Sequence, residues 1–204
     1  MPLRDGVSGK SRLAAVLDDD SRRRLVRVLA RHVVTTLLAS DGIERVVVVT
    51  ADPVFTRETL AGLEVEVLEQ PADRPGLNGA LEHAREVLTA RGSGPLLVAH
   101  ADLPALTPED VAALLAEDAP VVIATDRYRS GTNLLFLASE AGGFRFRFGV
   151  GSLAAHVAEA AAHRLEMMVV HRSGTAVDLD TADDWSQLPD EVRAAVGQEV
   201  PGLL

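Results

Sequence analysis

Two groups of aspartates in this sequence could bind a cation. Asp178 and Asp180 stand two positions apart, so on a strand they share one face. Two carboxylates held that close repel each other unless a cation or a proton lies between them. Asp102 follows an apolar stretch and precedes Leu103-Pro104, and a carboxylate at a strand end is well placed to hold a hard cation. An Asx-turn at Asp102 and a helix cap at Asp180 remain open as alternatives.

A basic turn near the start could bind phosphate. Gly9-Lys10-Ser11-Arg12 combines a glycine with a point charge at Lys10 and a planar guanidinium at Arg12. Its tail matches a P-loop, but that motif needs a glycine where Arg4 stands and a full strand before it. A Walker-type nucleotidase is therefore excluded, whereas a solvated basic turn remains the alternative to a phosphate site.

Two further segments could hold an anion. Thr132 follows Ser130-Gly131 in a loop whose hydroxyl and backbone N–H groups suit a carboxylate or a phosphate. Gly149 allows a close approach of the backbone, and Ser152 is predicted to open a helix. We therefore expect the Ser152 N–H to face an anion, and Thr132, Gly149 and Ser152 to line one pocket. An ordinary turn and a plain helix cap are the alternatives.

Rare residue types mark three positions. Lys10 is the only lysine, and Asn78 and Asn133 are the only asparagines, among 204 residues. Lysine and asparagine codons both begin with two adenines, so a GC-rich genome suppresses both types, and the survivors are candidates for a needed role. Asn78 precedes a predicted helix, where its amide could read the edge of a nucleotide base. A simple helix start is the alternative.

The composition limits the possible partners and compartments. A chain of 204 residues predicts one domain over 1–204, with 189–204 as a polar terminal segment. The net charge of 20 − 30 = −10 argues against long nucleic acids as partners. The absence of cysteine excludes disulfides and thiolate metal sites. No apolar run reaches membrane-spanning length and the start does not resemble a signal peptide, so a cytoplasmic protein without a membrane partner is expected.

The elements that position these residues alternate between strands and helices. That alternation predicts an α/β fold with a mostly parallel, doubly wound sheet, which binds ligands at the carboxyl ends of its strands. The predicted strands are short apolar runs bounded by turn residues: Arg45–Thr50, Glu64–Leu68, Pro95–Ala99, Pro120–Ala124, Asn133–Ala138, Met167–His171 and Ala176–Leu179.

The first strand is expected to be short or missing. Only Met1–Arg4 could form it, because Asp5, Gly6 and Gly9 follow at once. In a doubly wound sheet this strand lies centrally, between the strands Arg45–Thr50 and Pro95–Ala99. A segment ahead of Met1 with several β-branched residues is expected to complete it.

Six segments, in this order along the chain, resemble the CofC/FbiD guanylyltransferases of coenzyme F-420 biosynthesis. The resemblance covers nearly the whole chain, and the order of the segments makes it more specific than any one motif. The segments are Gly9-Lys10-Ser11-Arg12-Leu13, Leu77-Asn78, Ala101-Asp102-Leu103-Pro104, Gly131-Thr132-Asn133, Phe148 to Ser152 with His156 soon after, and Asp178-Leu179-Asp180-Thr181.

The resemblance implies a single domain with a nucleotidyltransferase fold of the glycosyltransferase-A type. It further implies that GTP donates GMP to the phosphate of phosphoenolpyruvate or 2-phospho-L-lactate and that pyrophosphate leaves. The residues it implicates are Asp102, Asp178 and Asp180 as ligands of Mg²⁺, Thr132, Gly149 and Ser152 around the acceptor, Lys10, Ser11, Arg12 and Asn78 around the nucleotide, and Lys10, Arg12 and Asp102 in catalysis.

Two other functions stay open. A related transferase acting on a sugar phosphate or on molybdopterin usually carries a longer glycine-rich first loop than this chain does. A catalytically inactive binding subunit with the same fold is favoured by the short start and opposed by the intact aspartates. Between the two acceptors, the GC-rich composition favours phosphoenolpyruvate.

Overall fold

The computed structural model describes residues 1–4, 10–92 and 94–203, without the side chain of Ser11. Six strands and seven α-helices follow one another in this part of the chain, and only a loop separates the fourth strand from the fifth. The strands are β1 (Val46–Thr50), β2 (Val65–Glu69), β3 (Leu96–Ala99), β4 (Val121–Thr125), β5 (Thr132–Leu137) and β6 (Met167–Val170). The α-helices are α1 (Asp19–Leu38), α2 (Pro53–Thr59), α3 (Gly76–Ala90), α4 (Pro108–Leu115), α5 (Ser152–Ala162), α6 (Ala182–Gln187) and α7 (Asp190–Glu199).

Local capping fixes where several helices begin. The Asp52 carboxylate accepts a hydrogen bond from a backbone N–H in the first turn of α2, and Pro53 is the first helical residue. Thr107 and Asp110 form a reciprocal capping box at α4, again with a proline, Pro108, in the first position. These contacts set the first residues of α2 and α4.

The strands form two sheets. β1 and β2 pair in parallel, and the second sheet has the order β3-β5-β4-β6. Within it β4 and β6 are parallel, while β5 runs antiparallel to both β3 and β4. The predicted α/β class is confirmed, and β5 is the strand that departs from the predicted parallel arrangement.

The first strand is a stub, as expected. Pro2 forms an isolated parallel bridge with Val49 of β1. The Leu3 N–H donates to the Val49 carbonyl at 3.0 Å, and the Val49 N–H donates to the Met1 carbonyl at 3.0 Å. The Met1 ammonium donates to the Val47 carbonyl at 2.8 Å.

A cavity of about 490 Å³ lies beside this stub, between β1 and β3. Met1, Val46 and Val47 contribute to one wall, and Leu96 and Leu97 to another. This is the place that the sequence analysis gives to the first strand.

Apolar packing on both faces holds the sheets. Every residue of β4 is buried, as expected for a strand covered by helices on both sides. The buried face of α1, from Val26 to Leu37, packs in the same core as Val46 and Val48 of β1.

Two predictions about the carboxyl-terminal part need comment. The strand predicted at Ala176–Leu179 is wrong, because this segment is irregular. Its Leu179 N–H donates to the Asp102 carbonyl at 3.0 Å, which ties it to the end of β3 without a ladder. The polar terminal segment contains α7, whose Val196, together with Val200 and Leu203, is buried.

Candidate active site

A pocket of about 950 Å³ opens where β1, β2 and β3 end. Ala51 and Asp52 follow β1, Gln70 follows β2, and His100 to Asp102 follow β3 on its wall. The carboxyl ends of parallel strands are where open α/β sheets bind ligands. The volume is that of a site for a small molecule of nucleotide size.

The three predicted aspartates meet on the wall of this pocket. Asp102, Asp178 and Asp180 all line it, and so does Lys10. The Lys10 ammonium donates to Asp102 Oδ2 at 2.5 Å and to Asp180 Oδ1 at 2.6 Å. The structure thus brings together four charged side chains that are up to 170 positions apart in the sequence.

Lys10 is held firmly in this cluster. Its side chain is 7% exposed, and its backbone has φ 59°, a left-handed conformation that side chains rarely adopt. Burial alone would lower the pKa of Lys10, but the adjacent Asp102 and Asp180 raise it above its ordinary value. The side chain therefore stays a cation, and the two ion pairs offset the backbone strain.

The aspartates respond oppositely to this environment. Burial would raise the pKa of Asp102, but Lys10 and His100 hold it below its usual range. Burial raises the pKa of Asp178, and the negative charges of Asp102 and Asp180 add to that effect. Lys10 therefore compensates the charge of Asp178 less than it compensates the charges of Asp102 and Asp180.

The carboxylates suit a divalent cation in their chemistry. Nucleotidyltransferases generally use a divalent metal ion. Among the described residues, the buried Asp102 Oδ1 has no hydrogen-bond partner and lies 4.0 Å from His100 Nδ1. Carboxylate oxygens are the ligands that hard cations prefer. Across the described ranges, no three acidic or histidine side chains form a ready-made metal centre. The three carboxylates fit a divalent cation in their chemistry, and the Lys10 ammonium lies between those of Asp102 and Asp180.

The other residues of the basic turn are described in part. Gly9 lies outside the described residues, and so does the Ser11 side chain, so their predicted nucleotide contacts stay predictions. Arg12 lies on a short 3₁₀ turn, Ser11–Leu13, directly after Lys10, and is exposed. Its predicted role toward the triphosphate also stays a prediction.

The predicted acceptor residues lie near one another but not on the wall of the 950 Å³ pocket. The Leu153 N–H donates to the Ser130 carbonyl at 3.0 Å, which brings the start of α5 to the loop before Thr132. The expectation for the Ser152 N–H is wrong, because that group donates to the Gly149 carbonyl at 3.1 Å. Gly149 has φ 141°, a conformation that favours glycine.

Asn78 makes a contact that its sequence context does not show. Its Nδ2 donates to the Phe148 carbonyl at 3.0 Å, and its Oδ1 accepts from the Phe148 N–H at 2.9 Å. The amide is thus engaged with backbone 70 residues away. The prediction that Asn78 reads a base edge stays a prediction.

His100 lines the pocket, although a histidine on a strand is more often a packed core residue than a functional one. Among the described residues, its buried Nε2 has no hydrogen-bond partner. Its ring lies 5.3 Å from that of Phe148. The available signal was the shared strand face of His100 and Asp102.

Comparison with known proteins places this geometry in a family. The family described as "Guanylyl transferase CofC like" matches residues 1–189. A phosphoenolpyruvate guanylyltransferase of Rubrobacter xylanophilus is 40% identical over 195 residues, covering 92% of this chain and 91% of that protein. The phosphoenolpyruvate guanylyltransferase of Sphaerobacter thermophilus is 32% identical over 204 residues, covering 99% and 97%.

Solved structures agree on the fold. A protein of Desulfovibrio desulfuricans described as a nucleotide-diphospho-sugar transferase superposes with a TM-score of 0.76 at 15% identity, covering 99% of this chain and 90% of its own. Molybdopterin-guanine dinucleotide biosynthesis protein A of Archaeoglobus fulgidus gives 0.53 at 14% identity, covering 97% and 98%. At these identities the likeness shows a nucleotidyltransferase-like fold. No helix in the described part of the chain has the length and apolarity needed to cross a bilayer.

Proposed function

Because the chain belongs to the CofC-like guanylyltransferase family, we propose that it transfers GMP from GTP to the phosphate of phosphoenolpyruvate, a step of coenzyme F-420 biosynthesis. The observation that carries the proposal is the convergence of Asp102, Asp178, Asp180 and Lys10 on one pocket of nucleotide size. The names of the relatives support phosphoenolpyruvate over 2-phospho-L-lactate as the acceptor.

The reaction is an in-line displacement at phosphorus. An oxygen of the acceptor phosphate attacks the α-phosphorus of GTP, the bond from that phosphorus to the bridging oxygen breaks, and pyrophosphate leaves with that oxygen. No general base is needed, because the attacking phosphate is already ionised near neutral pH. The protein contributes mainly alignment and charge neutralisation.

The residues of the pocket divide this work. Lys10 and Arg12 hold the triphosphate and stabilise the leaving pyrophosphate. Asp102, Asp178 and Asp180 would hold Mg²⁺, which neutralises and aligns the phosphates when bound. Thr132, Gly149 and Ser152 bind the acceptor, Ser152 through its side chain, because its N–H is already used within the loop.

Pyrophosphate release tests the proposal directly. The protein is incubated with Mg²⁺, GTP and either phosphoenolpyruvate or 2-phospho-L-lactate, and pyrophosphate and the guanylylated product are measured. We expect turnover with phosphoenolpyruvate, less with 2-phospho-L-lactate, and none without an acceptor. Turnover with only a sugar phosphate or molybdopterin would reassign the enzyme within its fold. No turnover with any acceptor, despite GTP binding, would indicate a binding subunit.

A further inference from the structure

Four consecutive backbone N–H groups donate hydrogen bonds to side chains instead of to a neighbouring strand. They lie just before the loop Gly149–Ser152, which carries two of the predicted acceptor-binding residues and which we call the acceptor loop. We call residues Arg145–Phe148 the tether. The four accepting atoms lie within 2.9 to 3.2 Å of the tether nitrogens and come in turn from Glu159, Glu82, His156 and Asn78.

The acceptors alternate between two helices. Glu82 and Asn78 belong to α3, whereas Glu159 and His156 belong to α5. Successive N–H groups of an extended chain point to opposite sides, so the tether donates hydrogen bonds to the two helices in turn, as a central strand does to its two neighbours. Its position therefore depends on both helices at once.

The carboxyl end of the tether leads directly into the acceptor loop. Asn78 binds both the N–H and the carbonyl of Phe148, and Gly149 follows immediately. The Phe148 ring lies 5.3 Å from His100, which lines the pocket, and 4.8 Å from His156. A displacement of Phe148 would thus move the loop from Gly149 to Ser152 relative to the pocket.

His156 joins the tether to Thr132. Its Nε2 accepts from the Arg147 N–H at 2.9 Å, so in the neutral ring the proton lies on Nδ1. Nδ1 lies 2.9 Å from Thr132 Oγ1, so this proton is donated to the threonine hydroxyl. The Thr132 hydroxyl, in a residue that is 1% exposed, then keeps its own hydrogen, for which no described residue is the acceptor.

We propose that Asn78 and His156 are positioning residues of the acceptor site, which hold the tether so that the Gly149–Ser152 loop and the Thr132 hydroxyl face the acceptor. The inference rests on the proposed function, because it names residues that serve the same site. It assigns Asn78 an action on the acceptor loop instead of contact with the nucleotide base.

Steady-state kinetics of paired variants test this inference. Asn78→Ala removes both bonds to Phe148, whereas Asn78→Asp keeps an acceptor for the N–H and loses the donor to the carbonyl. We expect the KM for phosphoenolpyruvate to rise roughly 10-fold in Asn78→Ala and less in Asn78→Asp, the scale of one or two lost hydrogen bonds. The KM for GTP should change less than about twofold. His83→Gln, on the same helix but outside the tether contacts, is the matched control and should leave both constants unchanged.

His156 variants separate its two bonds. His156→Asn can still donate to Thr132 but is too short to accept from Arg147, whereas His156→Gln has the reverse capacity. We expect both to raise the KM for phosphoenolpyruvate with little effect on that for GTP. Hydrogen exchange of the Arg147 and Phe148 amides gives a readout without turnover. Exchange should accelerate in Asn78→Ala and His156→Asn.

Three outcomes would overturn the inference. The KM for GTP rising alone in Asn78→Ala would mean that Asn78 reads the nucleotide. Unchanged constants for both substrates in folded variants, or unchanged amide exchange, would mean that the tether does not position the loop. A wild-type protein that turns over no phosphoenolpyruvate would refute the proposed function instead, while the exchange measurement would still report on the tether.

Discussion

At the scale of single residues, the three rare positions all make specific contacts. Lys10 bridges Asp102 and Asp180, and Asn78 binds the backbone of Phe148. The Asn133 amide donates to the Thr175 carbonyl at 2.8 Å in the interior. Each of these side chains satisfies a buried or partly buried polar group, and a substitute of other shape would leave that group unpaired.

Asp178 is expected to lower the stability of the fold while it supports turnover. Burial and the charges of Asp102 and Asp180 raise its pKa, so its ionised form is disfavoured by folding at neutral pH. Asp178→Asn should therefore keep or raise the melting temperature, while turnover falls roughly 100-fold or more because a phosphate-aligning charge is lost. Asp183→Asn, a change at an exposed carboxylate nearby, is the control.

Thermal melts with GTP, with and without Mg²⁺, complete this test. The increase in melting temperature that Mg²⁺ produces should disappear in Asp178→Asn and persist in Asp183→Asn. Unchanged pyrophosphate release from Asp178→Asn would show that the metal assignment is wrong.

His156 should make stability depend on pH in acid. Burial, as the largest cause, lowers its pKa from 6.5 to about 4, with Glu159 opposing and His100 and Arg147 adding to the effect. Because the unfolded state binds the proton more readily, this contribution is complete above pH 6.5 and is lost as the pH falls toward 4. The free energy of unfolding should drop by about 2 kcal/mol between pH 7 and pH 5 from this group.

The measurement is chemical denaturation at both pH values. His156→Gln should have a lower free energy of unfolding at pH 7 and a smaller drop on acidification. An equal drop in the variant and the wild type would assign the acid sensitivity to other groups.

At the scale of elements, α3 contacts both the tether and the pocket. One side contacts the tether through Asn78 and Glu82, while its first residues, Gly76 and Leu77, line the pocket. Gly79 follows Asn78 and packs closely on the preceding loop. A Cβ at this position would come within 2.7 Å of the Arg74 carbonyl oxygen.

Gly79→Ala is therefore expected to push the 71–75 loop away from α3. Alanine is the better helix former by about 1 kcal/mol, but the overlap with backbone should cost about 1–3 kcal/mol and dominate. Because Pro71, Ala72 and Pro75 line the pocket, the KM for GTP should rise as the melting temperature falls. Gly142→Ala, where a Cβ makes an ordinary 3.7 Å contact, should change neither. A Gly79→Ala protein as stable as the wild type would contradict this reading of the contact.

At the scale of the whole molecule, charge and sheet continuity stand out. A protein with a net charge of −10 that binds a triphosphate and a phosphorylated acid needs local positive charge. Lys10 supplies one positive charge within the aspartate cluster, where Asp102 and Asp180 already pair with it, so a bound divalent cation would have to supply the rest. A cavity also lies between β1 and β3, which belong to different sheets.

An extension ahead of Met1 should stabilise the fold by filling that cavity. Burial lowers the pKa of the Met1 ammonium from 8.0 to about 5, so its deprotonation costs about 1 kcal/mol at pH 7, and the stability rises as the pH increases toward 8. Four residues such as Val-Ile-Val-Val would replace the ammonium with a peptide N–H and bury apolar surface. We expect the melting temperature to rise by at least about 2–4 °C and its pH dependence between 7 and 8 to disappear.

A Gly-Ser-Gly-Ser extension separates the two effects. It replaces the titrating amine of Met1 with a peptide N–H but adds no apolar side chains, so it should lose the pH dependence and gain less stability. If the apolar extension gave no more stability than the Gly-Ser one, the cavity would not be a strand site.

The sequence by itself determined what depends on neighbouring residues. The caps at Asp52 and Thr107 and the buried β-branched strands follow from contacts and periodicities spanning a few positions. The alternation of these elements predicted the α/β class, and the ordered motifs predicted the guanylyltransferase family. The strand predicted at Ala176–Leu179 failed, because pairing with a neighbour, and not local propensity, decides whether an extended segment joins a sheet.

Only the tertiary structure decided which distant polar groups share one environment. The bonds from Lys10 to Asp180, from Asn78 to Phe148 and from His156 to Thr132 join residues 170, 70 and 24 positions apart. No periodicity encodes such pairs, because their free energy depends on burial and orientation that arise when whole helices and strands pack. The same packing turned the Ser152 N–H inward to Gly149 and gave the tether its alternating side-chain acceptors.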